Sequence, residues 1–408
     1  MLNWANQFGI FSFMDNNGYG FDAPAFECLL AAGCKQLLTV NNKSDFENLA
    51  VFSKNNSDWL FGHLGYDLKN YMEQLSSANF DGIGFADACF FIPETVVQLS
   101  ASGLTIFSEN DAHKIFEAIS SQSDKIESEH FDAVTLKSRF SKTDYISTVN
   151  KIKQHILKGD CYEINFCQEF FSEKALLNLL QVFAKLNAVS PAPFSVLYKM
   201  NDKYCVCASP ERYLKKTGDK IISQPIKGTS KRDLKNLVQD EANKKYLLES
   251  EKEKSENVMV VDLVRNDLSK VCKKGSVSVD ELFGIYSFPQ VHQMISTVSG
   301  VLDKEMNWVD IIKASFPMGS MTGAPKKRVM ELIEQYELTK RGLFSGAIGY
   351  IMPDGNFDFN VVIRSIFYNS SSRYVSIQAG SAITFNSDAE LEYEECLLKI
   401  AALKQALS

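Results

Sequence analysis

Two carboxylate pairs are the first residues in this chain that could do chemistry. Glu253 and Glu256 stand three apart, and Glu392 and Glu395 repeat the step near the C-terminus. That spacing puts both members of a pair on one face of a helix. Each pair borders an apolar run, Val258-Met-Val-Val261 in one case and Cys396-Leu-Leu398 in the other, so neither is set for open water. Four oxygen donors of this kind suit a hard cation, and Mg²⁺ usually keeps waters beside one or two direct carboxylates. The plainer alternative is a solvated charged face, with Lys252 and Lys254 offsetting the first pair.

A nucleophile and an acid stand upstream. Lys227 follows an apolar stretch and a proline in Ile221-Ile-Ser-Gln-Pro-Ile-Lys-Gly-Thr229. A lysine near its ordinary pKa of about 10.4 is protonated at neutral pH and cannot attack. Burial is therefore expected to depress it to about 7–8, at a cost on the order of 3–5 kcal/mol. Glu211, in Ser209-Pro-Glu-Arg-Tyr213, follows a proline at a strand end, where a raised pKa would make it a general acid. The bland readings are an exposed turn lysine and a turn glutamate paired with Arg212.

Anion holders complete the set. Phe316-Pro-Met-Gly-Ser-Met-Thr-Gly-Ala-Pro-Lys-Lys-Arg328 lacks the spacing of a phosphate loop, but Gly319, Gly323 and a helix N-terminus would suit a carboxylate. Otherwise it is a plain loop capping a helix. Arg364 interrupts the apolar run Val361-Val-Ile-Arg-Ser-Ile and needs an anionic partner, either a ligand or a structural carboxylate. Gly380, in Gln-Ala-Gly-Ser-Ala, would let a ligand approach backbone, or mark a bulge. His292 is either a core histidine or a site residue. Together these residues describe an acid, a nucleophile, a cation cage and two anion holders, which fits a small dicarboxylate.

The elements that must position them alternate. Residues 1–120 read as a strand-rich region, 121–142 as a polar connection, and 143–408 as a larger region of strands and long helices. Strands are expected at 194–206, 220–225, 293–301, 346–352, 357–367 and 374–383, with Pro353-Asp-Gly355 as a hairpin turn. Helices are expected at about 143–158, 238–268, 308–315, 325–337 and 388–405. Hairpin-linked strands argue for antiparallel sheets and an α+β fold. The 408 residues carry 43 Lys and Arg against 50 Asp and Glu, a net charge of −7, so no nucleic-acid footprint is expected. No apolar run approaches 18 residues, so no membrane span is expected, and the N-terminus has no secretory character. Nine Cys without a CxxC pair read as reduced core thiols in a cytoplasmic protein.

These motifs resemble, in order, those of the chorismate-utilising enzymes, which include anthranilate synthase component I and the aminodeoxychorismate, isochorismate and salicylate synthases. The resemblance rests on Ser209-Pro-Glu-Arg212, Pro225-Ile-Lys-Gly-Thr229, Glu256 to Asp267, Gly319 to Lys326, Ile363-Arg-Ser365, Gln378-Ala-Gly380 and Glu392-Tyr-Glu-Glu395. It covers about residues 140–405, with Gly65-Tyr-Asp67 as a looser N-terminal anchor. It implies an anthranilate-synthase-like α+β fold: two layered antiparallel sheets, helices outside, and the site between the sheets. It further implies Mg²⁺ held directly by Glu256 and Glu395 and through water by Glu253 and Glu392. Arg364 and the backbone at Ala379 and Gly380 would hold substrate, with Gly228, Thr229, His292, Thr322 and Lys399 around it.

The resemblance also implies a branch. Anthranilate synthases usually have Ala where Lys227 stands, whereas a lysine there points to amination at C4, giving 4-amino-4-deoxychorismate for folate synthesis. Lys227 would attack C2 while Glu211 protonates the departing hydroxyl. The isochorismate and salicylate synthases place a base lysine where Glu163 lies here, which argues against water addition at C2. Phe344 and Leu398 stand where many relatives have Tyr and Asn. The chain shows no glutaminase motif, so a separate amidotransferase subunit is expected to supply ammonia. The rival readings are anthranilate synthase component I and a non-catalytic chorismate or metal binder.

Overall fold

The computed structural model describes residues 1–20, 26–123, 133–288, 291–304 and 306–408. Part of the expected polar connection, residues 124–132, lies outside the described residues. The rest forms two antiparallel sheets. In spatial order, one sheet of eleven strands runs Gly323–Ala324, Glu163–Ser172, Tyr374–Ile383, Ser365–Asn369, Lys203–Ser209, Phe194–Met200, Ile10–Asp15, Cys28–Ala32, Thr95–Ser100 and Gly103–Ser108. Lys137–Ser138 pairs on Glu163–Ser172 as the remaining strand. The second sheet, of ten, runs Ile226–Lys231, Val291–Val301, Lys220–Gln224, Arg212–Thr217, Phe357–Asn360, Ala347–Ile351, Leu60–Leu64, Ala88–Ile92 and Gln36–Val40, with Ser278–Ser287 pairing on Val291–Val301. Each sheet takes strands from before and after residue 142.

Alternation along the strands divides the core. Cys205 and Cys207 face the space between the sheets with Phe61, Phe90, Tyr198 and Phe359. Val206 and Ala208 face the other way, against the helices Leu179–Val189 and Ala401–Ala406. Side chains two apart share a face, so the two thiols point the same way. All nine cysteines are unpaired. Among the described residues no helix is long and apolar enough to cross a membrane.

Several expected elements are split, and the splits matter for the site. The helix expected over 238–268 is two helices, Leu237–Glu249 and Glu251–Ser269, broken at Ser250. The Ser250 hydroxyl accepts from the Glu253 N–H at 3.4 Å, so Glu253 sits in the first turn of the second helix. The helix expected over 388–405 divides into Ala389–Lys399 and Ala401–Ala406. The strand expected over 357–367 changes sheets. Phe357–Asn360 belongs to the ten-stranded sheet and Ser365–Asn369 to the other, with Arg364 at φ +50° between them. The expected strand 194–206 is a hairpin turning at Asn201, φ +57°.

Candidate active site

A second sheet change puts the acid beside that arginine. The chain leaves the eleven-stranded sheet at Ser209 and enters the ten-stranded one at Arg212, so Pro210 and Glu211 bridge the gap. The two crossovers run side by side: the Val361 N–H donates to the Glu211 carbonyl at 3.0 Å, and the Ala208 N–H to the Arg364 carbonyl at 3.1 Å. Arg212 does not pair with its neighbour Glu211. It makes a buried pair with Asp358 at 3.0 Å, leaving Glu211 to the interior.

Glu211 is buried, and its Oε1 accepts from the Ser320 hydroxyl at 2.7 Å. Burial pushes its carboxyl up to about 7, against the opposing pull of Ser320, Lys227 and Arg364. A carboxyl poised there can give a proton at neutral pH. A cleft with about 340 Å³ of empty space opens beside it, lined in part by Ser223, Pro225, Gly319, Ser320 and Val361. Arg364 is half-buried and faces Glu211 electrostatically, and its guanidinium has no hydrogen-bond partner among the described residues. Burial lowers its pKa, and Glu211 partly offsets this. A cation so placed is set to receive an anion.

Lys227 departs from expectation. Its side chain is 11% exposed, as a desolvated lysine should be, but Nζ lies 2.8 Å from Glu163 Oε1. Burial alone would lower its pKa. The negative charges of Glu163, Glu256 and Glu211 outweigh burial and hold it above the ordinary lysine value. The resting amine is therefore protonated, and the expected neutral lysine is corrected to an ion pair. Gly228, at φ +93°, explains the glycine that follows: a Cβ there would meet Glu253 Oε2 and Leu247 Cδ1, each at 3.1 Å. The strand can therefore lie against the first carboxylate pair.

The four carboxylates come from two helices, as the spacing predicts. Glu256 and Glu392 are buried. Lys252 reaches both, 3.9 Å from Glu256 Oε1 and 3.8 Å from Glu392 Oε1, and so stands between the helices as a counter-cation. Burial raises Glu256 to about 7 and also raises Glu253, while Lys227 and Lys252 pull the other way. For Glu395, burial is outweighed by Lys399 at 2.7 Å, which holds it below the usual carboxylate range. No three metal-binding side chains are drawn together among the described residues. The donor set nevertheless suits a hard cation: Glu256 Oε1 is buried without a hydrogen bond, and ammonium groups occupy the ground between the acids.

The remaining expected contacts fare unevenly. His292 is buried with both ring nitrogens engaged, by Ser287 at 2.8 Å and Asp240 at 3.1 Å, which makes it a clamp between the strand Ser278–Ser287 and the first turn of Leu237–Glu249. Thr322 donates its hydroxyl to the Met318 carbonyl at 3.0 Å, and Thr229 is exposed. Ala379 points into the outer core. At Gly380 a Cβ would lie 2.3 Å from the Phe166 carbonyl oxygen, so close strand packing already accounts for the glycine. Lys399 donates to the Gly380 carbonyl at 2.7 Å. Ser320 and Glu163 are the site residues whose parts the sequence did not show. Glu163 was visible there just as a substitution for a lysine.

The chain matches the family model described as chorismate binding enzyme over residues 17–405. It belongs to that family. The Anthranilate synthase component I-like protein of Synechocystis is 37% identical over 354 residues, 86% of this chain and 72% of that protein. Aminodeoxychorismate synthase component 1 of Bacillus subtilis is 32% identical over 361 residues, 85% of this chain and 76% of the relative. The crystal structure of anthranilate synthase component I from Streptococcus pneumoniae superposes with a TM-score of 0.82 at 24% identity, covering 94% of each chain. As a chorismate binding enzyme the chain has the expected two-sheet α+β fold. Glu211, Lys227 and Arg364 are carried by the crossovers and edge strands, and the acidic pairs by the flanking helices.

Proposed function

We propose that this chain is component I of an aminodeoxychorismate synthase, aminating chorismate at C4. Relatives of that name at 32–33% identity in Bacillus subtilis, Klebsiella aerogenes and Escherichia coli support the assignment. The observation that carries it is Lys227: buried, ion-paired, and facing Glu211 and Glu256 electrostatically. In this reading Arg364 receives a substrate carboxylate, Lys227 adds to C2, and Glu211 gives its proton to the hydroxyl leaving C4. Ammonia then adds at C4 and the lysine departs, so one hard substitution becomes two allylic ones. Glu256 and Glu395 would hold Mg²⁺ directly and Glu253 and Glu392 through water; when bound, the ion would neutralise and orient the other carboxylate. The component naming of the relatives supports a second subunit, which we take to be a glutamine-hydrolysing amidotransferase that supplies ammonia. Nine unpaired cysteines support a cytoplasmic setting.

Anthranilate synthase component I is the competing reading, supported by the Synechocystis relative's name. A lysine at the approach to C2 weighs against it, because ammonia must reach that carbon in the competing reaction. Incubation with chorismate, Mg²⁺ and ammonia separates the two. Aminodeoxychorismate is the expected product, and anthranilate with release of pyruvate would overturn the assignment.

A further inference from the structure

Glu163 begins the strand Glu163–Ser172, and the close-packed pair Gly323–Ala324 holds it there. Gly323, at φ +133°, has no room for a Cβ, which would lie 2.1 Å from the Glu163 carbonyl oxygen. The Glu163 side chain is 1% exposed. Its Oε1 is 2.8 Å from Lys227 Nζ, and its Oε2 has no hydrogen-bond partner among the described residues. A buried ion pair is weak grounds for stability, because apolar side chains of equal volume often serve as well or better. A half-satisfied carboxylate is worse still. The arrangement makes sense if the carboxylate changes its protonation while Lys227 works. No hydrogen bond or ion pair joins Glu163 or Lys227 to Glu253, Glu256, Glu392 or Glu395.

We propose that Glu163 is the positioning residue and proton acceptor for Lys227. The inference rests on the covalent reading of Lys227 given above. Glu163 takes one proton from the Lys227 ammonium, and the freed lone pair forms the Nζ–C2 bond. Both ring double bonds shift, C1=C2 to C1=C6 and C5=C6 to C4=C5, and the C4–O bond breaks, with Glu211 supplying the proton that releases water. When ammonia bonds to C4, both double bonds shift back and the C2–Nζ pair returns to nitrogen. Lys227 recovers a proton from Glu163, and Glu211 takes one from the new ammonium group. Chorismate and ammonia give aminodeoxychorismate and water, with both carboxyls restored.

The test uses the whole chain with Mg²⁺ and chorismate but no ammonia, followed by intact-protein mass spectrometry. Wild type is expected to gain one chorismate less one water, at Lys227. Glu163→Gln keeps the side-chain shape and loses the acceptor. It should form this adduct and turn over at least about 100-fold more slowly, within the usual range for a lost proton transfer. Its KM for chorismate should stay within about threefold of wild type, because the group acts through Lys227. Glu163→Asp, which retains a carboxylate, should recover part of the rate, and it decides the matter if the Gln variant does not fold. Adduct formation at the wild-type rate in Glu163→Gln would overturn the proposal, and so would a folded Glu163→Asp variant that forms no adduct. Absence of an adduct in wild type would overturn the covalent reading of Lys227 instead.

Discussion

At the scale of single residues, the site works by setting charges against burial. Glu211 and Glu256 are pushed up to about 7 by the same cause, yet their surroundings differ. Glu211 accepts from one hydroxyl, that of Ser320, and faces Lys227 and Arg364 electrostatically. Glu256 sits among other acids and keeps a buried oxygen that makes no hydrogen bond among the described residues. A general acid must be protonated in the free enzyme. With Glu211 raised from the ordinary range to about 7, kcat/KM should hold below that pH and fall about tenfold per unit above it. Glu211→Gln should remove this limb and lower kcat about 10²–10⁴-fold. A pH–rate profile of both proteins checks the point, and an unchanged alkaline limb in the variant would assign it elsewhere.

At the scale of elements, the acidic helices are held apart from their own repulsion by lysines. Lys252 spans Glu256 and Glu392, and Lys399 ties Glu395 to the strand carrying Gly380. A divalent cation binding among these acids should displace Lys252 and join the helices Glu251–Ser269 and Ala389–Lys399. A ligand that binds the folded state raises stability by mass action, about 2.7 kcal/mol at a hundredfold excess over its Kd. Millimolar Mg²⁺ should therefore raise the thermal midpoint of wild type, while Glu256→Gln should lose most of that rise. Differential scanning calorimetry with and without Mg²⁺ reads this independently of turnover. An equal rise in both proteins would move the cation away from Glu256.

At the scale of the whole molecule, neither sheet is built by one half of the chain. Ile10–Asp15 zips onto Phe194–Met200, and Leu60–Leu64 onto Ala347–Ile351. The inter-sheet core mixes Phe61, Phe90 and Phe91 with Tyr198, Trp308 and Phe359. Removing residues 1–120 would leave long strand edges and large aromatic surfaces bare, and such edges invite aggregation. The truncated chain is expected to be insoluble or aggregated by size-exclusion chromatography. A monodisperse, cooperatively folded fragment would mean that residues 143–408 hold their own core.

The sequence by itself determined the chemistry on offer: the acidic pairs, Lys227, Glu211 and Arg364 are all legible, because helix spacing and strand-end prolines are local signals. The hairpin at Pro353-Asp-Gly355 was legible for the same reason. Tertiary structure alone decided what those groups meet. An unbroken apolar pattern hid the sheet change at Arg364, since a strand leaving one buried sheet for another stays apolar throughout. Lys227 looked like an amine to be neutralised by burial, because its neighbour Glu163 is 64 positions away in the chain. A pKa depends on which charges fold in beside a group, and residue spacing along the chain does not carry that information.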